Sequence, residues 1–548
     1  MIELAPDTHT HDAIVVGGGH NGLVCAAYLA RAGMRTLVLE ARDEVGGCAS
    51  TVDAIAARVN ICNCDHLAFR TTPIADELDL TRHGLRYLDI DPAQLSVSWT
   101  GSAPWYAFHD VDRTIESLRL THPDEVDGYR RYLRAARPVA ELALELATAV
   151  PTAGNVTRCL LDRRAAGVKT MLAWSRRSVA DVLCSFFRSE ALLAPSIVTG
   201  PAVWGLAPDT PRTGLGAVGY ALKHVGQVGR PVGGSGAVPA AVASCVGAAG
   251  GVIRTASRVS AILLDRDVVR GVELEDGTRF DAPRVVVACD PTVAFVQWLR
   301  PRGARAEQLA RRWAQRPHRD GYESKLDAVV GELPTLRGID RAHGDALGVT
   351  EAWLPTTIVA PSIDGIAQAH RAMNHGQVAR RPMLFVNIPS VADPTLRVGG
   401  SNGDHVLSLE VLFTPYELRG GWGASTEPER WLDCLGALVE PGFRDAIRRW
   451  RVMTPPRYEA EFSLRRGHAP SFAGGAVAAL LGRDRELTRY ETPIAGLYLT
   501  GAATFPGAGV WGASGRNTAA VVLRGPRRPR VTGIAAVRRP TRTTRVPA

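Results

Sequence analysis

The chain lacks a cysteine framework. Nine cysteines (25, 48, 62, 64, 159, 184, 245, 289 and 434) are scattered through 548 residues with no CxxC pair among them. An odd, dispersed set argues against a secreted disulfide scaffold and a zinc ribbon, and it fits a reducing compartment. The first residues, MIELAPDTHTHD, contain no basic residue and no apolar run, so neither a signal nor a transit peptide is expected there. Residues 13–30 form an 18-residue stretch without formal charge, but the Gly17-Gly-Gly-His-Asn-Gly22 cluster breaks it, which excludes a membrane span. No Ser-His-Asp order and no carboxylate pair can be singled out, so hydrolysis has no support.

Excess charge is also missing from most of the chain. The formal charge is +9, yet residues 524–548 hold eight arginines and no acid, leaving +1 for everything before them. Nucleic-acid binding is therefore not expected of the body. The Pro- and Arg-rich segment 524–548 reads as a flexible, solvated tail. With 46% hydrophobic and 22% charged residues, the remainder has the balance of a globular protein. Its length predicts two to four domains at roughly 100–200 residues each.

What is present begins at residue 12. Asp12-Ala-Ile-Val-Val16 reads as a buried parallel strand that enters Gly17-x-Gly19-x-x-Gly22 directly, and a helix over 23–32 follows, with Gly33 as its stop. Thr36-Leu-Val-Leu-Glu40 is a second strand ending on an acid 18 residues after Gly22. This order suits a dinucleotide. Gly17 allows the tight turn, Gly19 admits a pyrophosphate, and Gly22 permits close helix–strand contact. The helix N-terminus offers N–H groups to the anion, His20 and Asn21 lie in the loop before it with His20 as a positioning residue, and Glu40 accepts hydrogen bonds from ribose.

Arg42, Gly46 and Gly47 follow at once, in the arrangement Arg-x-x-x-Gly-Gly. The arrangement resembles the second fingerprint of FAD enzymes of the glutathione-reductase type and points to FAD over NAD. Cys48 beside the doublet has no second cysteine at position 53, which is Asp, and is read as a packing residue. Pro231-Val-Gly-Gly-Ser-Gly236 with the strands 251–255, 259–264 and 284–288, and Gly496 to Thr518 near the C-terminus, read as segments returning to the same domain. A formal GxGxxG at Gly507, Gly509 and Gly512 has no acid downstream and is read as a C-terminal FAD segment rather than an NADPH site.

These motifs resemble the phytoene desaturase and carotenoid isomerase-like flavoproteins, within the flavin amine oxidase superfamily, and most closely the group of pyridine nucleotide-disulfide oxidoreductase domain-containing protein 2. The resemblance implies an α/β protein, with a glutathione-reductase-type Rossmann FAD domain (12–94, 225–304 and 481–523) and an interleaved α+β substrate domain (95–224 and 305–480). It implies that Val259 meets adenine through its backbone and that Gly501, Ala502, Trp511 and Gly512 face the flavin end. Flavin amine oxidases usually carry an acid after the glycine matching Gly501; Ala502 stands there instead, which shifts the expected substrate from amines toward apolar, polyene-like molecules.

Glu323 to Val330 alternates as a strand and places Lys325 and Asp327 on one face. Its likeness to the strand carrying the active-site lysine of flavin amine oxidases makes Lys325 a catalytic candidate, against the alternative of a surface lysine. His66, in Cys62-Asn-Cys-Asp-His66, is a second candidate for the substrate pocket; that cluster is too cramped for a structural metal site, and no metal is expected. Helices are expected over 125–147, with a kink at Pro138, and over 178–195.

The expected activity is hydride transfer from a substrate C–H bond to flavin N5, with O2 or a quinone-like acceptor. The alternatives are amine oxidation by O2 and a non-catalytic binding or regulatory protein on the same fold. A cytoplasmic location is expected, with peripheral membrane contact through the helical half as a variant. Oligomeric state is not legible.

Overall fold

A computed structural model describes residues 11–62, 64–339, 341–399, 403–472, 475–482 and 484–525. The expected basic tail lies outside them from residue 526 onward.

Short β-branched runs build a five-stranded parallel sheet in the order Leu497–Leu499, Val285–Val287, Ala13–Val16, Thr36–Leu39 and Val252–Arg254. The first four of these strands are buried on both faces, as parallel sheets flanked by other layers must be, while the edge strand Val252–Arg254 is largely exposed. The helices His20–Arg31, Ala237–Ala248 and Ala513–Leu523 pack on one side. A four-stranded sheet including Val259–Asp265 and Val268–Leu274 contributes to the core on the other. The turn at Asp276-Gly277 forms as its sequence predicts: Gly277 has φ +84°, and Asp276 Oδ1 accepts from Thr278 N at 2.8 Å.

A seven-stranded mixed sheet supplies the other half. Its order is Ile447–Met453, Glu323–Val330, His405–Leu412, Met383–Asn387, Thr356–Ala360, Gln94–Ser98 and Trp105–Ala107. One face is apolar, with Leu326, Ala328, Leu409, Val411, Leu384 and Leu95 in a single core cluster. The opposite face carries Lys325, Asp327, Glu410, Asn387, Thr356 and Gln94, because side chains alternate with period two. An interior sheet face with this many polar groups requires partners for each of them, and it lies toward the nucleotide-binding half.

The helix Val126–Ala147 runs through Pro138 and buries Tyr129, Tyr132, Leu133, Val139 and Leu142. The expected helix over 178–195 is two helices, Val179–Leu183 and Glu190–Val198. The break has a physical cause. Glu125 accepts from the backbone N–H groups of Arg188 and Ser189, Ser189 caps the second helix, and Phe186 and Phe187 pack against Tyr132. Among the described residues, no helix is long and apolar enough to cross a membrane.

Leu326 is fully buried between the two strands it pairs with. Leu326→Ala is expected to cost about 2–5 kcal/mol, read as a lower urea midpoint with an unchanged slope; an unchanged midpoint would contradict this account of the core.

Candidate active site

The glycine loop is shaped by close contacts. A Cβ on Gly22 would stand 2.1 Å from the Gly17 carbonyl oxygen, whereas one on Gly19 would meet nothing within 4 Å. Gly22 thus lets helix and strand touch, and Gly19 keeps open space above the loop. Gly46 N donates to Gly18 O at 2.8 Å, and a Cβ on Gly47 would come 3.4 Å from Gly19 Cα, so the Gly46-Gly47 doublet closes the other side of the loop.

Two helix starts converge here. No side chain caps either His20–Arg31 or Ala513–Leu523 at its N-terminus. The helices cross so closely that a Cβ on Gly515 would lie 2.2 Å from Asn21 O, and His20 Nε2 lies 3.2 Å from Gly509 O. First-turn N–H groups carry partial positive charge, and two such ends at one place favour an anion. Burial lowers the His20 pKa to about 4, so it is neutral and serves to hold the C-terminal segment to the loop.

Glu40 is buried, and its carboxylate accepts from Gly18 N at 2.7 Å and Arg42 N at 2.9 Å. Each oxygen retains acceptor capacity, which suits ribose hydroxyls. The loop, the doublet, the two helix ends and Glu40 together fit the phosphates and ribose of an FAD. Gly501 N donates to Ser514 Oγ at 2.9 Å, and Gly512 precedes the second helix start with φ +70°. Trp511 Nε1 donates to Ala508 O at 3.0 Å. Arg42 turns instead toward Phe462, 4.4 Å from the ring centroid. Val259 packs in the same core cluster as Val16 and Leu39.

Lys325 is 1% exposed and is not a surface lysine. Its Nζ donates to Asn60 O at 2.7 Å and pairs with Asp327, which Arg451 also contacts at 3.1 Å. Asn60 ends the hairpin Thr51–Ala54/Ala57–Asn60, and its Oδ1 accepts from Ser235 N at 2.9 Å. The lysine therefore fastens the seven-stranded sheet to the segment leading from Gly46-Gly47 to His66.

His66 is fully enclosed, with Nδ1 at 3.0 Å from Tyr87 Oη and Nε2 at 3.1 Å from Ser235 Oγ. Burial lowers its pKa to about 3. Both nitrogens are engaged by protein groups, so His66 sets the geometry of the segments around it.

Several groups escaped the sequence reading. Arg230 is buried against Asp65 at 2.7 Å and Asn387 at 2.8 Å, and Thr356 bonds both of those partners. Lys223 is lowered to about 8 by burial, with Asp65 opposing. Cys48 lies beside Cys62, whose thiol holds Cys48 below the usual thiol range. Glu323 and Glu410 form a carboxylate pair where none was expected, both held above the usual carboxylate range by burial. Among the described residues, no cluster suits a metal ion.

A cleft of about 800 Å³ lined by Trp204, Tyr322, His370, Tyr416 and His468 opens at the start of the lysine strand. A second, of about 830 Å³ around Trp99, Arg380 and Arg381, contains none of the nucleotide-loop residues.

Comparison with known proteins agrees with this geometry. Residues 15–77 match the model of the NAD(P)-binding Rossmann-like domain, and residues 176–320 that of the flavin containing amine oxidoreductases. The mouse (Mus musculus) pyridine nucleotide-disulfide oxidoreductase domain-containing protein 2 is 29% identical, over 94% of this chain and 93% of its own length. The lycopene-forming phytoene desaturase of Pantoea ananas is 26% identical over 93% and 98%. Putrescine oxidase, solved with putrescine, shares the fold at TM-score 0.60 and 18% identity, covering 94% of this chain and 99% of its own.

The chain is similar in sequence to proteins of the flavin amine oxidase superfamily. It is an FAD-dependent oxidoreductase of the amine oxidase and phytoene desaturase type, with an α/β fold built on a Rossmann-like nucleotide-binding domain.

In this flavoenzyme the two loop glycines separate by their contacts. Gly19→Ala is expected to leave the apoprotein melting temperature unchanged while weakening FAD binding, and Gly22→Ala to lower both. Equal melting temperatures for the two variants would contradict the packing argument.

Proposed function

We propose that the protein desaturates an apolar, polyene-like substrate, with hydride passing from a substrate C–H bond to flavin N5. The observation that carries this reading is Ala502 at the flavin end. Its carbonyl accepts from Phe472 N at 2.9 Å, and the Phe472 ring packs edge-on to Phe505 at 5.9 Å, so this position offers apolar surface and no carboxylate. Similarity to a phytoene desaturase over nearly the whole chain supports it.

Bound FAD supplies the capacity to accept a hydride. Gly17, Gly19, Asn21, Gly22, Gly46 and Gly47 would bind and orient its phosphates, Glu40 its ribose, and Val259 the adenine. Gly501, Ala502, Trp511 and Gly512 would border its ring. Lys325 would supply a positive charge on the ring side of the site, where it would favour charge gained on reduction. His66, locked between Tyr87 and Ser235, holds the substrate-side segment in register. The acceptor that reoxidises the flavin is O2 or a quinone-like molecule.

The site of action is the cytoplasm. Peripheral contact with a membrane through the helical half is supported by exposed Leu161, Leu172 and Trp204.

The test is anaerobic mixing of the FAD-loaded protein with phytoene in detergent micelles or with putrescine, following flavin absorbance. Bleaching by phytoene is expected. Bleaching by putrescine and not phytoene would overturn the reading in favour of amine oxidation.

A further inference from the structure

The polar face of the lysine strand holds more chemistry than one cation. Lys325 lies opposite Glu410 in the antiparallel pairing of Glu323–Val330 with His405–Leu412. Glu323, two residues before Lys325, is on the same face and diagonal to Glu410, within reach of side chains of this length. Burial raises both carboxyl groups above the usual carboxylate range, and the neighbouring Glu410 charge raises Glu323 further. Two carboxylates placed side by side in an interior resist ionising together, so a proton held between them relieves the repulsion. Both residues are interior yet only half-buried, unlike their sealed neighbours Ser324, Leu326 and Leu409, so their side chains border open space.

Among the described residues, the groups named against the pair are two thiols, two tyrosines and Lys325. Cys62 and Cys48 come from the segment beside Gly46-Gly47, Tyr322 precedes Glu323, and Tyr458 comes from the helix Pro455–Phe462. Lys325 is divided between Asp327 and Asn60 O, and Arg451 is engaged by Asp327. Tyr322 also lines the 800 Å³ cleft, one residue from Glu323. The two carboxyl groups thus lie one residue from a residue of the open cleft and beside the Cys48 and Cys62 segment that follows the Gly46-Gly47 doublet.

We propose that Glu323 and Glu410 act together as the proton acceptor for the oxidation. The inference rests on the desaturation reading. Desaturation breaks two C–H bonds on adjacent carbons. One hydrogen leaves with its electron pair as hydride to the bound flavin. The other leaves as a proton to the free carboxylate of the pair, and its bonding electrons become the new π bond. The singly protonated pair becomes doubly protonated, and the flavin is reduced by two electrons. The pair returns its proton to solvent when the flavin is reoxidised.

The first test needs no substrate. Infrared spectra of the FAD-loaded protein at neutral pH are expected to contain a protonated-carboxyl C=O stretch that Glu323→Gln and Glu410→Gln each remove. Absence of that band from the native protein overturns the pair. The second test follows flavin bleaching by phytoene in micelles. Either substitution is expected to slow bleaching by about 10²–10⁴-fold while leaving FAD binding and reduction by dithionite unchanged. The native rate is expected to fall as pH drops and the pair becomes doubly protonated, and this acid limb moves in the variants. Bleaching at the native rate in both variants overturns the proposal. Glu323→Asp, which keeps the carboxyl, is expected to retain the band if a glutamine variant fails to fold. Bleaching by putrescine alone removes the substrate reading, and the infrared band then still decides whether the pair shares a proton.

Discussion

A buried ammonium group needs partners, and the partners of Lys325 hold the molecule's two halves together. Asp327 on the same strand and the backbone oxygen of Asn60 take its donors, with Arg451 completing the charge pattern. Asn60 belongs to the hairpin that leaves the Gly46-Gly47 doublet, and its side chain grips Ser235 and Thr51 of the nucleotide-binding half. Removing one member of such a set leaves an unpaired buried charge, which is far more costly than losing a surface contact. The position of the seven-stranded sheet relative to the nucleotide-binding half thus depends on satisfying one cation.

The nucleotide end is governed by a different constraint, the close approach of backbones. Gly22 against Gly17 and Gly515 against Asn21 bring two helix starts and a strand end to one point. No side chain caps these two helix starts, and their first-turn N–H groups suit the phosphates of a nucleotide. Glu40 is held in place by two backbone donors before any ribose arrives, so the acceptor needs no reorganisation on binding.

Much of this end was legible from the sequence because its signals are local. Strand, glycines, helix, strand and acid lie within residues 12–40, and the doublet follows immediately. The C-terminal glycine segment was legible for the same reason, as was the alternation that puts Lys325 and Asp327 on one face. What sequence did not reveal depends on register between distant strands. Glu410 meets Glu323 only because two strands pair over residues 323–330 and 405–412. His66 and Ser235 are 169 positions apart, and Arg230 and Asn387 are 157 apart. The broken helix at 184–189 escaped periodicity because its cause is Glu125, which captures backbone N–H groups more than sixty positions away. Burial of Lys325 was likewise invisible, since half-buried and fully buried strands share the same alternation when polar side chains satisfy one another.

The central claim is that a fixed positive charge on Lys325 stands beside the flavin. The most direct measurement is the flavin midpoint potential of the native protein and of Lys325→Met, determined by reductive titration at constant pH. The account predicts a lower potential in the variant, because charge gained on reduction loses its stabilising partner. An unchanged potential with FAD still bound would show that the lysine only fastens the sheet to the loop.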